Sequence, residues 1–457
     1  MEPDRPILLW LRRDLRLKDN PALVAAAKSG RPVLPVFIRS TKEEIGGASA
    51  WWRGRSLAAL ARDLAARGSR LILRTGTAEK VLAALAQETQ ASALVFNQNH
   101  EPGQIAEDQA VMRALGAGGI SIIECRANRL HDPWLLKTKT GGSFKVFTPF
   151  WNRLAAEYRP PTRHVAPKVL RSPKRWPKSE TFKAWQVTAR WTKGFEEAWL
   201  PGEAGAEKRL RRLLLTAKDY PTKRDRPDHE GTSKLSPHLA WGEISVHEIW
   251  RRLDAKLGAK AKPFLRQLGW RDFNSHLLYH FADLPTQPWT EKFRHFPFRR
   301  DAMGLTAWQR GLTGYPIVDA GMRQLWATGW MHNRVRMITA SFLIKDQMID
   351  WRLGEAWFWE TLVDADLAQN AGNWQWVAGS GADASPYFRI FNPVGQSRKF
   401  DPEGDYIRRW VPELADVAGD AVHAPWEADL RVKGYPPPIV DHAQARLRAL
   451  AAYRKIR

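Results

Sequence analysis

Five short apolar runs alternate with stretches of helical spacing through the first 130 residues. The runs are Ile7–Trp10, Val33–Ile38, Arg70–Leu73, Ala93–Phe96 and Ile120–Ile123. Between them Pro21–Ser29, Leu57–Arg67, Ala78–Glu88 and Glu107–Leu115 repeat apolar residues at helical pitch. Such alternation argues a parallel sheet with helices on both faces, because parallel neighbours need crossover connections. It predicts a doubly wound, Rossmann-like α/β domain over residues 1–130. No Gly-x-Gly-x-x-Gly follows the first run, so the dinucleotide-binding fingerprint of that architecture is missing.

The alternation stops near residue 130. From 131 to about 205, Pro149, Pro160, Pro161, Pro167, Pro173 and Pro177 interrupt any long element, and Lys168, Arg171, Lys174, Arg175 and Lys178 make a basic run. This reads as an interdomain linker wrapped over the surface. From Ala206 helical periodicity dominates and predicts an all-helical domain over 206–457. The expected fold class is therefore α/β plus all-α, and 457 residues are enough for two cores. No apolar run approaches the roughly 20 residues of a membrane span. A strand-like run at Ile7 leaves no room for a signal peptide. Cys125 is the sole cysteine, which rules out an internal disulfide and a cysteine zinc cage. A reducing, cytoplasmic location without secretion is expected. The net charge of +23 and a pI near 10.2 suit a polyanionic partner, most simply nucleic acid. Clusters at Arg299-Arg300 and Arg398-Lys399 flank the segment richest in chemistry.

That segment opens Gly329-Trp330-Met331-His332-Asn333-Arg334-Val335-Arg336-Met337. It closes Asp364-Ala365-Asp366-Leu367-Ala368-Gln369-Asn370-Ala371-Gly372-Asn373-Trp374-Gln375-Trp376, with Trp351, Trp357 and Trp359 between. Trp is bulky, and Arg and Asp are costly to bury unpaired, so core packing alone rarely assembles this mixture. A site for a flat redox cofactor beside a nucleobase uses all of it. Asn333 and Met337 are i,i+4 neighbours, and Asp366 and Asn370 share a helical face. Upstream, Gly231-Thr232-Ser233-Lys234-Leu235-Ser236-Pro237 follows Tyr220 and Arg224. Small hydroxyl residues before a helix either cap it or hold a pyrophosphate through hydroxyls, backbone N–H groups and the helix dipole. In Gln267-Leu268-Gly269-Trp270-Arg271, residues Gln267, Trp270 and Arg271 lie on one face at helical pitch.

These motifs resemble the photolyase/cryptochrome family, its cyclobutane-dimer branch in particular, and the resemblance extends over nearly the whole chain. It implies FAD held by Tyr220, Thr232, Ser233, Lys234, Leu235, Ser236, Arg271, Asn333, Arg336, Asp364, Asp366 and Asn370. In the family the amide at Asn370 serves flavin N5; plant-type cryptochromes resemble a version with Asp there, which brings an acidic proton that Asn lacks. Arg336 is expected to pair with Asp364 beside the ring. Trp270 and Trp376 would hold the lesion by stacking, with Gln267, Asn333, Arg334 and Met337 shaping its pocket. Gln267 stands where dimer-repairing relatives often carry Glu; an amide still donates to and accepts from thymine. Relatives that repair (6-4) photoproducts carry His residues in place of Asn333-Arg334. Trp374 and Trp351 match the inner and middle members of an electron-carrying Trp file. Its outer position falls near Phe298, which leaves Trp326, Trp330, Trp357 and Trp359 as alternative relays. Arg224, Arg299, Arg398 and Lys399 are assigned to DNA phosphates. Trp10, Trp185 and Trp199 are assigned to core packing. Glu101, after Asn97-Gln98-Asn99-His100, matches a folate-contacting Glu of some members, and Gly46-Gly47-Ala48 with Trp51-Trp52 would help line that antenna site. The antenna expected is methenyltetrahydrofolate, with 8-hydroxy-5-deazaflavin as the alternative.

The function this implies is light-driven repair of cyclobutane pyrimidine dimers, in which excited reduced FAD passes an electron to a lesion flipped out of the duplex. The alternatives are a cryptochrome-like blue-light photoreceptor, against which Asn370 speaks, and a (6-4) photolyase, against which Asn333 and Met337 speak. Damaged DNA is the expected partner. The protein is expected to be a monomer at the bacterial nucleoid, without membrane attachment or an obligatory protein partner.

Overall fold

All five apolar runs are strands in the computed structural model, which describes residues 5–41, 45–384 and 388–456. They are β1 (Ile7–Leu11), β2 (Val33–Arg39), β3 (Ile72–Thr75), β4 (Ala93–Asn97) and β5 (Ser121–Cys125), in one parallel sheet of order β3-β2-β1-β4-β5. Helices α1 (Pro21–Lys28), α2 (Gly47–Ala65), α3 (Ala78–Thr89) and α4 (Pro102–Ala117) make the connections. Strand β1 is central, with Ile7 in register with Val33 on one side and Ala93 on the other. It is buried along its whole length, which is why it reads as a continuous apolar run rather than an alternating one. Trp10, Trp185 and Trp199 are all buried, as assigned.

Strand order reverses between β1 and β4, where doubly wound sheets usually open a crevice for ligands. Here the chain fills it. Arg12 pairs with Asp108, donates to the Asn97 carbonyl (2.8 Å) and lies 3.8 Å over the Trp10 ring.

Helix α2 begins at Gly47, ten residues before the spacing suggested, and its first turns are not an antenna wall. Trp51 and Trp52 are 1% and 0% exposed. Their rings pack on Phe195 (5.4 Å), Trp199 (5.5 Å) and His238 (5.1 Å), and Trp52 Nε1 donates to Glu243 Oε1 (2.9 Å). A Cβ on Gly46 would strike the backbone of Trp359. These residues join the sheet domain to the helical one.

The stretch expected as a linker divides between the two domains. Its prolines conceal a helix, Phe147–Glu157, because Pro149 sits in the first turn, where a missing N–H costs nothing. Phe147, Phe150, Trp151 and Leu154 enter a core shared with the helix Lys262–His280, and Gly269 leaves room for the Trp151 ring. Further on, the chain returns to the sheet domain. Val33 N–H donates to the Arg171 carbonyl, Leu170 N–H to Arg67, and Glu180 N–H to Leu73 (each 2.9 Å).

From Glu203 onward the described residues contain helices and no strand. They build two large apolar cores and a small one around Phe293 and Phe296. The helix Leu367–Ala378 lies between the two large ones, giving Ala368 and Ala371 to one and Trp374, Val377 and Ala378 to the other. Among the described residues no helix is long and apolar enough to cross a membrane.

Candidate active site

A cavity of about 520 Å³ opens where the two large helical cores part, within the roughly 300–1,000 Å³ usual for ligand sites. Four stretches of chain surround it. The first is Tyr220–Ala240. Ser233 Oγ accepts from Leu235 N–H (3.2 Å), and Ser236 Oγ accepts from Trp330 Nε1 (3.3 Å). Ser233, Leu235 and Ser236 line the cavity; Thr232 and Lys234 do not. Lys234 has a left-handed backbone (φ 51°), and its ammonium turns to Glu230 (2.8 Å) and the Trp330 ring (5.4 Å). The helix that follows, Ser236–Ala240, has only five residues, so its dipole adds little to anion binding. Tyr220 is buried, with Arg224 over its ring at 5.5 Å.

The floor is charged. Arg336 Nη2 bonds both oxygens of Asp364 (2.8 and 3.1 Å), while its Nε donates to the Met331 carbonyl (2.8 Å). Arg271 donates to the carbonyls of Asn128 (2.9 Å) and Leu239 (3.2 Å), and burial lowers its pKa to about 10. Asp366 caps the helix Leu367–Ala378 by accepting from Gln369 N–H (3.1 Å). Burial works to raise its pKa, but Arg129 and Arg271 outweigh that and hold the carboxyl below the usual range. Asn370 gives its amide hydrogens to Glu355, at the backbone carbonyl (3.0 Å) and at Oε1 (2.9 Å). Burial pushes the Glu355 carboxyl up to about 7, against the pull of that bond.

The mouth is aromatic and amide-rich. Trp270 lies flat on Phe147, with ring centres 3.7 Å apart and planes 10° apart. Trp376 is half-buried, with the Arg389 guanidinium 5.9 Å from its ring. Gln267 Oε1 accepts from Arg224 Nη2 (3.3 Å), and its Nε2 donates to the Pro263 carbonyl (3.3 Å). Arg334 pairs with Asp225 (3.1 Å) and covers the Phe400 ring (4.3 Å). Asn333 Nδ2 lies 3.9 Å from Met337 Sδ, as the i,i+4 spacing predicts.

Trp374 is buried in the wall, edge-on to Phe358 (5.0 Å) and Trp308 (6.2 Å). Trp351 is buried in the helix Trp351–Thr361, where Gly354, one turn on, makes room for the Trp374 ring. Phe298 belongs to an aromatic cluster with Phe296 (4.8 Å). Trp326 is 51% exposed and stacks on Trp357 at 6.0 Å and 6°.

Four of the expected contact residues, three assigned to phosphates and one to an antenna, lie outside the cavity. Arg398 is paired through Nε and Nη2 with two carboxylates, Asp420 (2.6 Å) and Glu427 (2.8 Å), which raise its pKa further. Arg299 and Lys399 are exposed but line no part of the cavity. Glu101 precedes α4 and faces a narrow gap of about 20 Å³ shared with Arg129, Arg271 and Asp366. Glu355, Asp225 and Phe147 were not anticipated. Each acts on a partner in another element, Phe147 on Trp270 and Glu355 on Asn370, so no local spacing announces it.

Fold and cavity together define a two-domain protein that holds a large, flat, polar-edged cofactor in its helical half. Residues 264–455 match the family model described as the FAD binding domain of DNA photolyase, and residues 7–168 match the one described as DNA photolyase. The chain is 48% identical over 470 residues to a deoxyribodipyrimidine photo-lyase of Agrobacterium fabrum, covering 99% of this chain and 98% of that one. It is 36% identical to Cryptochrome-2 of Arabidopsis thaliana, covering 98% of this chain and 78% of that one. The crystal structure of a bacterial class III photolyase from Agrobacterium tumefaciens matches with a TM-score of 0.96 at 47% identity, covering 99% of this chain and 98% of that one. The chain belongs to the photolyase/cryptochrome family. Its cavity fits FAD: Asn370 Oδ1 accepts no bond from the described residues, Arg336 is a fixed cation, Ser233 and Ser236 supply hydroxyls, and Leu235, Leu239 and Ala240 are apolar.

Proposed function

We propose that the protein repairs cyclobutane pyrimidine dimers in DNA under blue light. One observation carries this reading: the residues suited to a flavin (Arg336, Asp364, Asn370) and those suited to a flipped dimer (Trp270, Trp376, Gln267, Asn333, Met337) line the same cavity. When bound, reduced FAD supplies light absorption and an electron that opens the cyclobutane ring and then returns. The chain supplies position and charge. Trp270, backed by Phe147, and Trp376 stack on the lesion bases, each stack worth about 1–3 kcal/mol. Gln267, tied to Arg224, presents its amide to the imide edge of thymine. Arg336, held by Asp364, sets a cation beside the reduced ring.

Phosphates meet a different set of cations from Arg398 and Lys399. A groove of about 790 Å³ adjoins the cavity through Arg224 and Gln267 and carries Lys218, Lys260, Lys262 and Arg266. None of these four has a carboxylate partner among the described residues. Trp374 and Trp351 bring electrons to an oxidised flavin, with Trp357 and Trp326 as the outlet, because Trp326 is exposed and Phe298 is much harder to oxidise than Trp. A second chromophore, a methenyl-folate rather than a deazaflavin, serves as antenna, a preference that rests on the resemblance of Glu101 to a folate-contacting residue of some relatives. The protein acts as a monomer in the cytoplasm, on the nucleoid. The test is to illuminate the reduced, FAD-loaded protein with oligonucleotides carrying one defined dimer. Light-dependent recovery of intact thymines is expected. No recovery, or recovery only from a (6-4) photoproduct, would overturn the reading.

A further inference from the structure

Lys345 is 0% exposed and sits in the π-helical turn Phe342–Asp346, a widened turn of the kind that recurs at functional sites. A buried ammonium normally keeps a carboxylate partner. Among the described residues Lys345 forms no ion pair, and the adjacent Asp346 is engaged by His442. Its contacts come instead from one short segment and one helix end. Nζ lies 3.5 Å from the centre of the Phe388 ring and donates to the Arg389 carbonyl (3.4 Å). Beside them is Gly379, which ends the helix Leu367–Ala378 with a left-handed φ of 87°; a Cβ there would come within 3.7 Å of Nζ and 3.3 Å of the Phe388 ring. A cation is favourable at a helix C-terminus, where the last carbonyls gather negative charge. Burial nonetheless pulls the Lys345 pKa down to about 7, with Asp346 acting against it.

That segment and that helix meet at the mouth of the cavity. The helix carries Trp376, and the segment sets the Arg389 guanidinium 5.9 Å from the Trp376 ring. Phe388 also stacks on Tyr453 (4.5 Å, planes 4° apart), and Phe391 N–H donates to Ser341 Oγ (3.3 Å). A charged Lys345 attracts both the ring face and the carbonyl, whereas a neutral one keeps a weaker carbonyl bond and loses the ring. We propose that Lys345 is a positioning residue for lesion binding: its ammonium clamps Phe388 and Arg389 to the end of the helix Leu367–Ala378, so that Arg389 and Trp376 meet the dimer as one preformed wall. This rests on the reading above, that Trp376 stacks on the lesion. The charged and titratable groups around the clamp are Asp346 on the same turn, His442, Arg448 and Tyr453 on the helix His442–Lys455, Lys292 over the Tyr453 ring, and Arg389 itself.

The experiment measures binding of a dimer-containing oligonucleotide to the FAD-loaded protein in the dark, from about pH 6 to about pH 8.5. Lys345→Met should weaken binding about tenfold at the acid end, while FAD content and the repair yield per flash of dimers already bound stay at the parental level. Parental affinity should fall about threefold as pH rises through the Lys345 pKa, because the protonated form makes the clamp, and the profile of Lys345→Met should be flat. A merely structural role would leave no such difference between the profiles. Phe388→Leu keeps the ammonium but removes the ring, and should weaken binding about threefold. Unchanged affinity in both variants would overturn the clamp, as would a pH profile that survives Lys345→Met and vanishes in His442→Asn. Trp376→Ala distinguishes failure of the clamp from failure of the lesion placement. If it weakens binding while Lys345→Met and Phe388→Leu do not, the clamp is wrong and the placement stands. If none of the three weakens it, the placement fails and the clamp with it.

Discussion

Arg12 of the α/β domain and Arg336 of the helical domain are both largely buried guanidiniums, each held by one carboxylate and one backbone carbonyl. Arg12 lies on Trp10 and closes the crevice at the carboxyl ends of β1 and β4. Arg336 stands at the floor of a cavity that its neighbours leave open. The bonding is alike, and the surroundings differ. Around Arg12 most polar groups have partners within the protein, Trp10 Nε1 excepted: Asn97 donates to Asp14 (2.6 Å) and Asn20 (2.8 Å) and accepts from Ala22 N–H (3.3 Å). Around Arg336 some capacity remains unused, at Asn370 Oδ1 and along the mouth. Buried polar groups are normally satisfied, so a cluster with capacity to spare marks a place built for something else.

The largest expected effect breaks each pair in turn. Asp364→Ala leaves Arg336 without its counter-charge and should cost about 3–5 kcal/mol of stability together with most bound FAD. Asp108→Ala should destabilise comparably through Arg12, yet the protein that remains folded should bind FAD at the parental ratio. Thermal unfolding and flavin absorbance read both; equal loss of flavin in the two variants would erase the distinction between sealing and site-forming pairs.

A smaller effect divides the cavity itself. Trp376→Ala should weaken binding of dimer-containing DNA by about 1–3 kcal/mol and leave FAD content unchanged. Trp374→Phe should keep lesion binding and repair by pre-reduced protein, while slowing photoreduction of the oxidised form. The two indoles are two residues apart on one helix, about 200° of rotation, and accordingly Trp374 is buried in a core while Trp376 is half-exposed. Equal loss of lesion affinity with normal photoreduction in both variants would refute this division.

The smallest effect concerns the surface. Lys260→Ala and Lys262→Ala should each reduce the salt dependence of binding to undamaged DNA by about one unit of slope, whereas Arg398→Ala should leave it unchanged. A reduced slope for Arg398→Ala alone would return the phosphate track to the other face.

Much of this was legible in one dimension. Strands β1, β2 and β4 stood out because a parallel strand covered on both faces is a continuous apolar run. The cavity-lining groups at 220–236, 267–271, 333–337 and 364–376 were recognisable because their motifs resemble those of the photolyase/cryptochrome family, and within each set helical spacing tells which side chains share a face. The Arg336–Asp364 pair was an expectation of that resemblance, and the structure forms it. Three features of the structure were not legible in the chain. Pro149 concealed the helix Phe147–Glu157, the Trp51-Trp52 pair suggested a binding wall where it is buried, and nothing near Arg398 announced its pairing with Asp420.

The amino-acid sequence by itself determined the two-domain plan through its periodicity, and through its resemblance to a family the kind of cofactor site and most of the residues around it, because periodicity and motifs are local properties. Only the tertiary structure decided which polar groups keep capacity for a ligand and which spend it on the protein. Arg398 meets Asp420 and Glu427, Asn370 meets Glu355, and Trp270 meets Phe147, in every case across elements that approach only on packing. Hydrogen-bond and charge satisfaction belong to the surroundings of a group, and its surroundings exist only once the chain has folded.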